Sequence, residues 1–394
     1  MTNQDSAIRK SFKFSEVSMN LNGLLPGEKY QLLYTIYSYV LLIIYIIMIP
    51  VLGYMNIIMA KPGSRVDLFQ KSFVYLELFI SVFKHWPFIT KPDQTKRLLN
   101  RWNESIFNTD VDIDKHIIHE SIRRFKLMRF LFFLMTVMSP LLLIQSIIFS
   151  SHDDLKLPIW VPVDIYNNTM LYTITNVYVV TGYIHGVFGY FSVDFLIAGY
   201  ILYCATQIRL IKFKLENMDK YVEKEAIIDP QKTTTDGLPH KKIYDQIIQC
   251  IKVYDAVFGH AQELENVYSI GIFSQFFVGS MVLSICMYNL SKVNTLMNLA
   301  YVLSFLIPTA LLLYLYCDQG TLIIEESTTI GAAIFKSPWY TYDKKTKMLL
   351  YTFMERTKKP IKFTVGKLVD LSLETFVVII NRSYSLLALL KNVY

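Results

Sequence analysis

Four stretches without a single charged side chain, residues 32–60, 130–151, 267–291 and 293–317, constrain this chain more than any other feature. A helix needs about 20 apolar residues to cross roughly 30 Å of hydrocarbon, and each stretch supplies them. No water-soluble core has room for four such helices. The composition agrees: 53% of the 394 residues are hydrophobic and 18% are charged, more apolar side chain than one globular core buries. The chain needs lipid as solvent.

Three weaker runs complete the pattern. Residues 168–208 are apolar apart from Asp194 and the titratable His185, long enough for one span and a helical extension beyond it. Residues 66–90 hold Asp67, Lys71, Glu77 and Lys84, and residues 371–390 hold Glu374 and Arg382. Charges inside spans face protein or water rather than lipid, so both runs still read as spans. The expected fold class is therefore an all-α membrane protein with seven transmembrane helices. Placing the amino terminus in the cytoplasm puts most of the 39 Lys and Arg on the inner side, as the positive-inside rule requires. The carboxyl terminus is then extracellular. The net charge of +7 reads as a topogenic signal and a contact to anionic membrane lipids. No nucleic-acid module is visible.

The first 25 residues are polar and mixed in charge, unlike a secretory signal peptide. The first span must direct insertion itself. Cys204, Cys250, Cys286 and Cys317 lie near span ends or in the expected cytoplasm and suggest no extracellular disulfide. Among the sequons, the one at Asn103 falls in an inner loop, whereas Asn167 falls in an outer loop and is the candidate glycosylation site.

Loop lengths divide the chain. The expected units are a cytoplasmic segment over 1–31, spans one to four with an outer-half ligand pocket over 32–211, and a cytoplasmic loop and helix over 212–266. Spans five and six follow over 267–317, then cytoplasmic anchor helices over 318–370 and a pore-lining seventh span over 371–394. Tyr244, Ile247, Ile248, Ile251, Tyr254, Val257 and Phe258 recur at helical spacing, which predicts an amphipathic helix running toward span five. Met348, Leu349, Tyr351, Thr352 and Met354 predict a second helix, stopped near Pro360. Such helices form a packed cytoplasmic assembly domain.

Catalytic signatures are missing: no phosphate-cradling glycine loop, no zinc-protease motif, no nucleophile elbow. His116 and His119 share a helical face but lack Cys or carboxylate partners, and read as a solvated surface. Neither an enzyme nor a cofactor is expected.

Particular residues carry a resemblance. Trp339-Tyr340, the helix near Met348 to Met354, Ser372-Leu373-Glu374-Thr375-Phe376 and Ser383-Tyr384-Ser385-Leu386-Leu387-Ala388-Leu389-Leu390 together resemble the insect odorant receptor family. Tyr316-Cys317 with Gly320, the Glu325-Glu326 pair and Gln207-Ile208-Arg209-Leu210-Ile211 support it. The resemblance implies a ligand-gated cation channel in the plasma membrane of a sensory neuron dendrite, not a G-protein-coupled receptor. It implies a tetramer with the Orco co-receptor, in which this chain is the odorant-tuned subunit, since the long second cytoplasmic loop of the co-receptor is missing. Where gustatory relatives carry Thr-Tyr and Gln-Phe in the last span, this chain has Ser383-Tyr384 and Lys391, which favours the odorant branch over a gustatory-type channel.

By position in the family's last helix, Leu387 falls at the gate, where an apolar constriction closes a pore by dewetting, and Lys391 falls at the outer mouth. Lys391 either opposes permeating cations or snorkels outward; Tyr384 lines water or pairs with a neighbouring subunit. The resemblance places the pocket for a small volatile odorant among spans two, three, four and six. The lining expected from side-chain character is Phe73, Leu76 and Ile80 of span two, Gln145 of span three, Tyr178, Gly182 and His185 of span four, and Tyr301 of span six. Helix packing is the competing role for each. A G-protein-coupled receptor would need the opposite orientation and lacks its Asp-Arg-Tyr here; a transporter would show inverted repeats, which are not found.

Overall fold

A computed structural model describes residues 7–25, 31–59, 72–101, 105–107, 112–148, 159–162, 168–222, 239–293 and 296–393. It is a helical bundle. Helix α1 (Ala7–Leu21) lies against the middle of the molecule, burying Phe12 and Met19. The first long apolar run forms α2 (Gln31–Leu41), a π-helical stretch (Leu42–Ile47) and α3 (Met48–Met59) as one rod. Pro50 sits just past the π stretch. Proline has no N–H to bond the preceding turn and its ring crowds that turn's carbonyl, and a widened π turn is one way a helix accommodates both.

Helix α4 (Phe73–Thr90) leads into the short amphipathic α5 (Pro92–Arg101), whose proline occupies the first helical position, where no N–H is required. Then come α6 (Asp112–Ile148), α7 (Thr169–Glu216), α8 (Pro239–Leu290) and α9 (Leu296–Thr328). Asn168 caps α7 by accepting from the Met170 and Leu171 amides at 3.0 and 3.3 Å. At 48 and 52 residues, α7 and α8 run to about 70–80 Å, more than twice the hydrocarbon thickness. Both therefore continue past the membrane without a break, and α8 carries the amphipathic stretch from Tyr244 to Phe258 with Ile247, Tyr254 and Val257 buried.

Beyond α9 lie α10 (Ile330–Lys336) and α11 (Lys344–Thr357), the latter capped by Asp343. Helix α11 buries Leu350 and Phe353 while Met348 and Tyr351 stay exposed. The sequence pattern did not anticipate the antiparallel two-residue strands β1 (Thr364–Val365) and β2 (Val369–Asp370). Gly366 and Lys367 between them both have positive φ, 59° and 63°, the backbone that a tight hairpin requires. Helix α12 (Leu373–Val393) ends the described chain.

Five of these helical segments are long and apolar enough to cross a membrane: Leu32–Met59, Asp114–Gln145, Thr169–Glu216, Lys241–Leu290 and Asn298–Lys336. The chain is an all-α membrane protein. Helices α4 and α12 are the two charged runs that the sequence marks as weakest. The core has α7 at its centre, buried all the way round from Phe191 to Ile201, as a helix does when protein surrounds it. The far end of α7 is tied by ion pairs from Lys212 to Glu326 (2.6 Å), Lys214 to Asp114 (2.9 Å) and Lys336 to Glu216 (3.2 Å). All four cysteines are buried and free.

Candidate functional site: a cavity beside a buried ion pair

A cavity of about 50 Å³ opens between α4, α6, α7 and α9. Phe132, Val187, Phe191, Phe305 and Leu312 give it apolar walls. Polar groups enter from every side: Glu77 from α4, Ser139 from α6, Tyr183, Tyr190 and Asp194 from α7, and Thr309 from α9. Thr309 donates to Glu77 Oε1 at 2.6 Å, and the hydroxyls of Ser139 and Tyr183 lie 2.9 Å apart. This is the composition of a small-molecule site, mostly hydrophobic with a few convergent polar groups.

Just past the cavity lies a fully buried charge pair. Lys84 Nζ donates to both carboxylate oxygens of Asp194, at 2.5 and 2.6 Å, and to Gln275 Oε1 at 2.6 Å. Tyr316 donates to Asp194 Oδ1 at 2.7 Å, Tyr190 donates to Gln275 Oε1 at 2.8 Å, and Lys84 Nζ sits 3.5 Å from the centre of the Tyr190 ring. One network thus joins α4, α7, α8 and α9. A buried charge is tolerable only when paired and hydrogen-bonded, and all three ammonium donors of Lys84 are used. Asp194 and Tyr190 belong to this network and to the cavity wall, so a guest in the cavity touches the groups that hold four helices together.

The residues expected to line a pocket fall into three places. Phe73 and Tyr301 pack behind the wall, with ring centres 4.8 and 5.3 Å from that of Phe305; Ile80 is fully buried and Leu76 partly so in the same apolar cluster. Tyr178, Gly182 and His185 do share one face of α7, but that face meets the first rod. The Tyr178 ring stacks on Tyr45 at 6.0 Å and its hydroxyl donates to the Ile44 carbonyl at 2.5 Å. The room left at Gly182 is filled by Ile49 and Tyr45: a Cβ there would come within 2.1 Å of the Ile49 side chain. The His185 ring lies 5.5 Å from Tyr45, with Nε2 unbonded among the described residues. Gln145 is exposed on α6.

At the other end of the chain, Tyr384 is 66% exposed on α12. The α12 backbone extends through Leu387 and Lys391, whose side chains lie outside the described residues, as does Asn167 altogether. Sequence reasoning missed Tyr183, Phe305 and Thr309, which look like ordinary span residues. It noted Glu77 and Lys84 as anomalies in span two, and a charge in a span is the signal that points at this site.

The 7tm odorant receptor family model matches residues 64–384. The chain belongs to the odorant receptor family. It is thus a multi-pass plasma-membrane protein of a receptor family rather than an enzyme. Among curated relatives, it is 25% identical over 286 residues to odorant receptor Or1 of Anopheles gambiae, covering 68% of this chain and 67% of that one. It is 24% identical to odorant receptor 10 of Aedes albopictus and 23% to odorant receptor 22a of Drosophila melanogaster. Those two matches span 40% and 39% of the relatives' lengths, well under half. In fold it is similar to the olfactory receptor OR5 of Machilis hrabei, solved alone and in complex with eugenol. The TM-score is 0.82 in both cases, at 13% and 14% identity, over 98% of this chain and 98–99% of that one.

Proposed function

We propose that this odorant receptor is the odorant-tuned subunit of a ligand-gated cation channel that assembles with Orco co-receptor subunits. The observation that carries the reading is the cavity among α4, α6, α7 and α9, walled by aromatics and sharing Asp194 and Tyr190 with the network that links the helices. An odorant bound there shifts gating only through a difference in affinity between closed and open arrangements. The closed cavity is small, so an odorant must displace wall side chains such as Phe305. That displacement is the form the differential affinity takes.

The amino terminus is cytoplasmic in this reading and the carboxyl terminus extracellular. Residues 32–211 hold the pocket in the outer half of the membrane, residues 212–266 and 318–370 build the assembly platform, and α12 lines the central pore. Support for α12 comes from its uncovered face: Glu374, Val378, Asn381, Ser385 and Ala388 are exposed at helical spacing, while Ser383 on the opposite face donates to the Ser280 carbonyl at 3.2 Å. Leu387 is the gate and Lys391 stands at the outer mouth. Asn167 carries an outer-loop glycan.

Recording from cells that express the chain with and without the co-receptor, under an odorant panel, tests this directly. Odorant-evoked cation current is expected only with the co-receptor, and its absence in every combination sinks the reading. Where current flows, Leu387→Glu is expected to change conductance or basal opening. Phe305→Ala is expected to shift the response toward bulkier odorants at unchanged ion selectivity.

A further inference from the structure

Glu77 stands in the cavity wall with most of its hydrogen-bonding capacity unused. Its Oε1 accepts from Thr309 at 2.6 Å, and no donor among the described residues reaches Oε2. A carboxylate offers about four acceptor positions, and in a low-dielectric site each one left empty is unfavourable. The lysine on the same helix supplies no hydrogen bond to it, because the three N–H bonds of Lys84 all go to Asp194 and Gln275.

The other hydroxyls around the cavity are committed as well. Thr136 donates to the Phe132 carbonyl at 2.7 Å, Ser304 to the Tyr301 carbonyl at 2.7 Å, and Tyr190 to Gln275 at 2.8 Å, while Ser139 donates to the Thr136 carbonyl at 3.4 Å and its oxygen, 2.9 Å away, accepts from Tyr183. The wall therefore offers an acceptor and withholds donors. A guest whose polar group only accepts brings a lone pair toward a carboxylate; a guest that donates completes it.

We propose that this cavity selects small volatile molecules whose polar group is a hydrogen-bond donor, an alcohol or a phenol, which the free oxygen of Glu77 receives, against ethers, esters and ketones of the same size. The proposal rests on the reading of the cavity as the odorant site, and it makes Glu77 a specificity-determining residue. A hydrogen bond that fills an otherwise empty buried acceptor is worth more than an average one, and its loss corresponds to about a tenfold change in affinity or more.

Isomeric probe pairs isolate that bond: n-hexanol against methyl pentyl ether, and benzyl alcohol against anisole. Binding is read as thermal stabilisation of the purified full chain in detergent, and gating as evoked current with the co-receptor. The wild-type chain is expected to favour the alcohol of a pair by about tenfold in half-maximal concentration. That preference disappears in Glu77→Met and narrows severalfold in Glu77→Gln, which keeps the side-chain shape and serves if the methionine variant does not fold. A wild-type chain that binds both isomers of each pair equally, or a preference unchanged by either substitution, overturns the proposal. Alcohol-selective binding without current removes the channel reading and leaves Glu77 in its role. Current whose selectivity ignores Glu77 does the opposite.

Discussion

Helices α4 and α12 look alike in the sequence, each an apolar run broken by charged residues of both signs, yet the fold uses them in opposite ways. Helix α4 is enclosed: Lys84 is 1% exposed and Asp194, its partner, 0%. Helix α12 leaves Glu374, Arg382 and the 66% exposed Tyr384 on the surface of the single chain. The distinction is partner supply within one subunit. Lys84 of α4 finds its counter-charge on α7, whereas Glu374 and Arg382 of α12 have no ion pair among the described residues.

The largest effect that would break this contrast is expected at Lys84. Lys84→Ala strands the Asp194 carboxylate in the core, and removing one member of a buried pair costs about 3–5 kcal/mol. Thermal stability of the purified chain in detergent should fall sharply, with much of the loss restored in the Lys84→Met/Asp194→Leu double variant. If Lys84→Ala leaves stability unchanged, α4 is not the enclosed helix described above.

A smaller effect is expected at Gly320, where α9 passes the start of α12 so closely that a Cβ would come within 2.1 Å of the Leu371 carbonyl oxygen. Gly320→Ala forces backbone apart, and overpacking of this kind costs about 1–3 kcal/mol. Its signature should be amide exchange, faster in α12 than in α4. The smallest effect is expected on the exposed face. Glu374→Gln and Arg382→Gln should each change the stability of the isolated chain by less than about 0.5 kcal/mol, while altering conductance in the channel proposed above. A large stability loss from either would place the α12 charges in intrachain pairs and erase the contrast.

Uncharged runs made the long helices legible, because a continuous apolar run of about 20 residues satisfies its own backbone in lipid as a helix, whereas barrel strands are about half as long. The amphipathic start of α8 was legible for the same reason of spacing. The β1–β2 hairpin was not, since two-residue strands carry no periodicity; its one local cue is Gly366. The cavity lies among the four spans in which the resemblance puts a pocket, but side-chain character did not pick out its lining. Helical spacing puts Tyr178, Gly182 and His185 on one face of α7 but does not say which neighbour that face meets, and Tyr45 and Ile49 of the first rod fill it. Asp194 stands out in the sequence as the one carboxylate of its run, yet its bond to Lys84 spans 110 residues, a pairing no local pattern encodes.

The unbroken course of α7 has a mechanical consequence. From Tyr183 at the cavity to Glu216 at its capped end, one helix spans about 50 Å, held near the cavity by the Lys84–Asp194 pair and at the distant end by three further ion pairs. A pivot of about 5° at the cavity would swing that end by about 4 Å. Displacing a single aromatic ring can thus be geared up into a movement as large as a side chain, at the place where α7 is fastened to α6, α9 and α10.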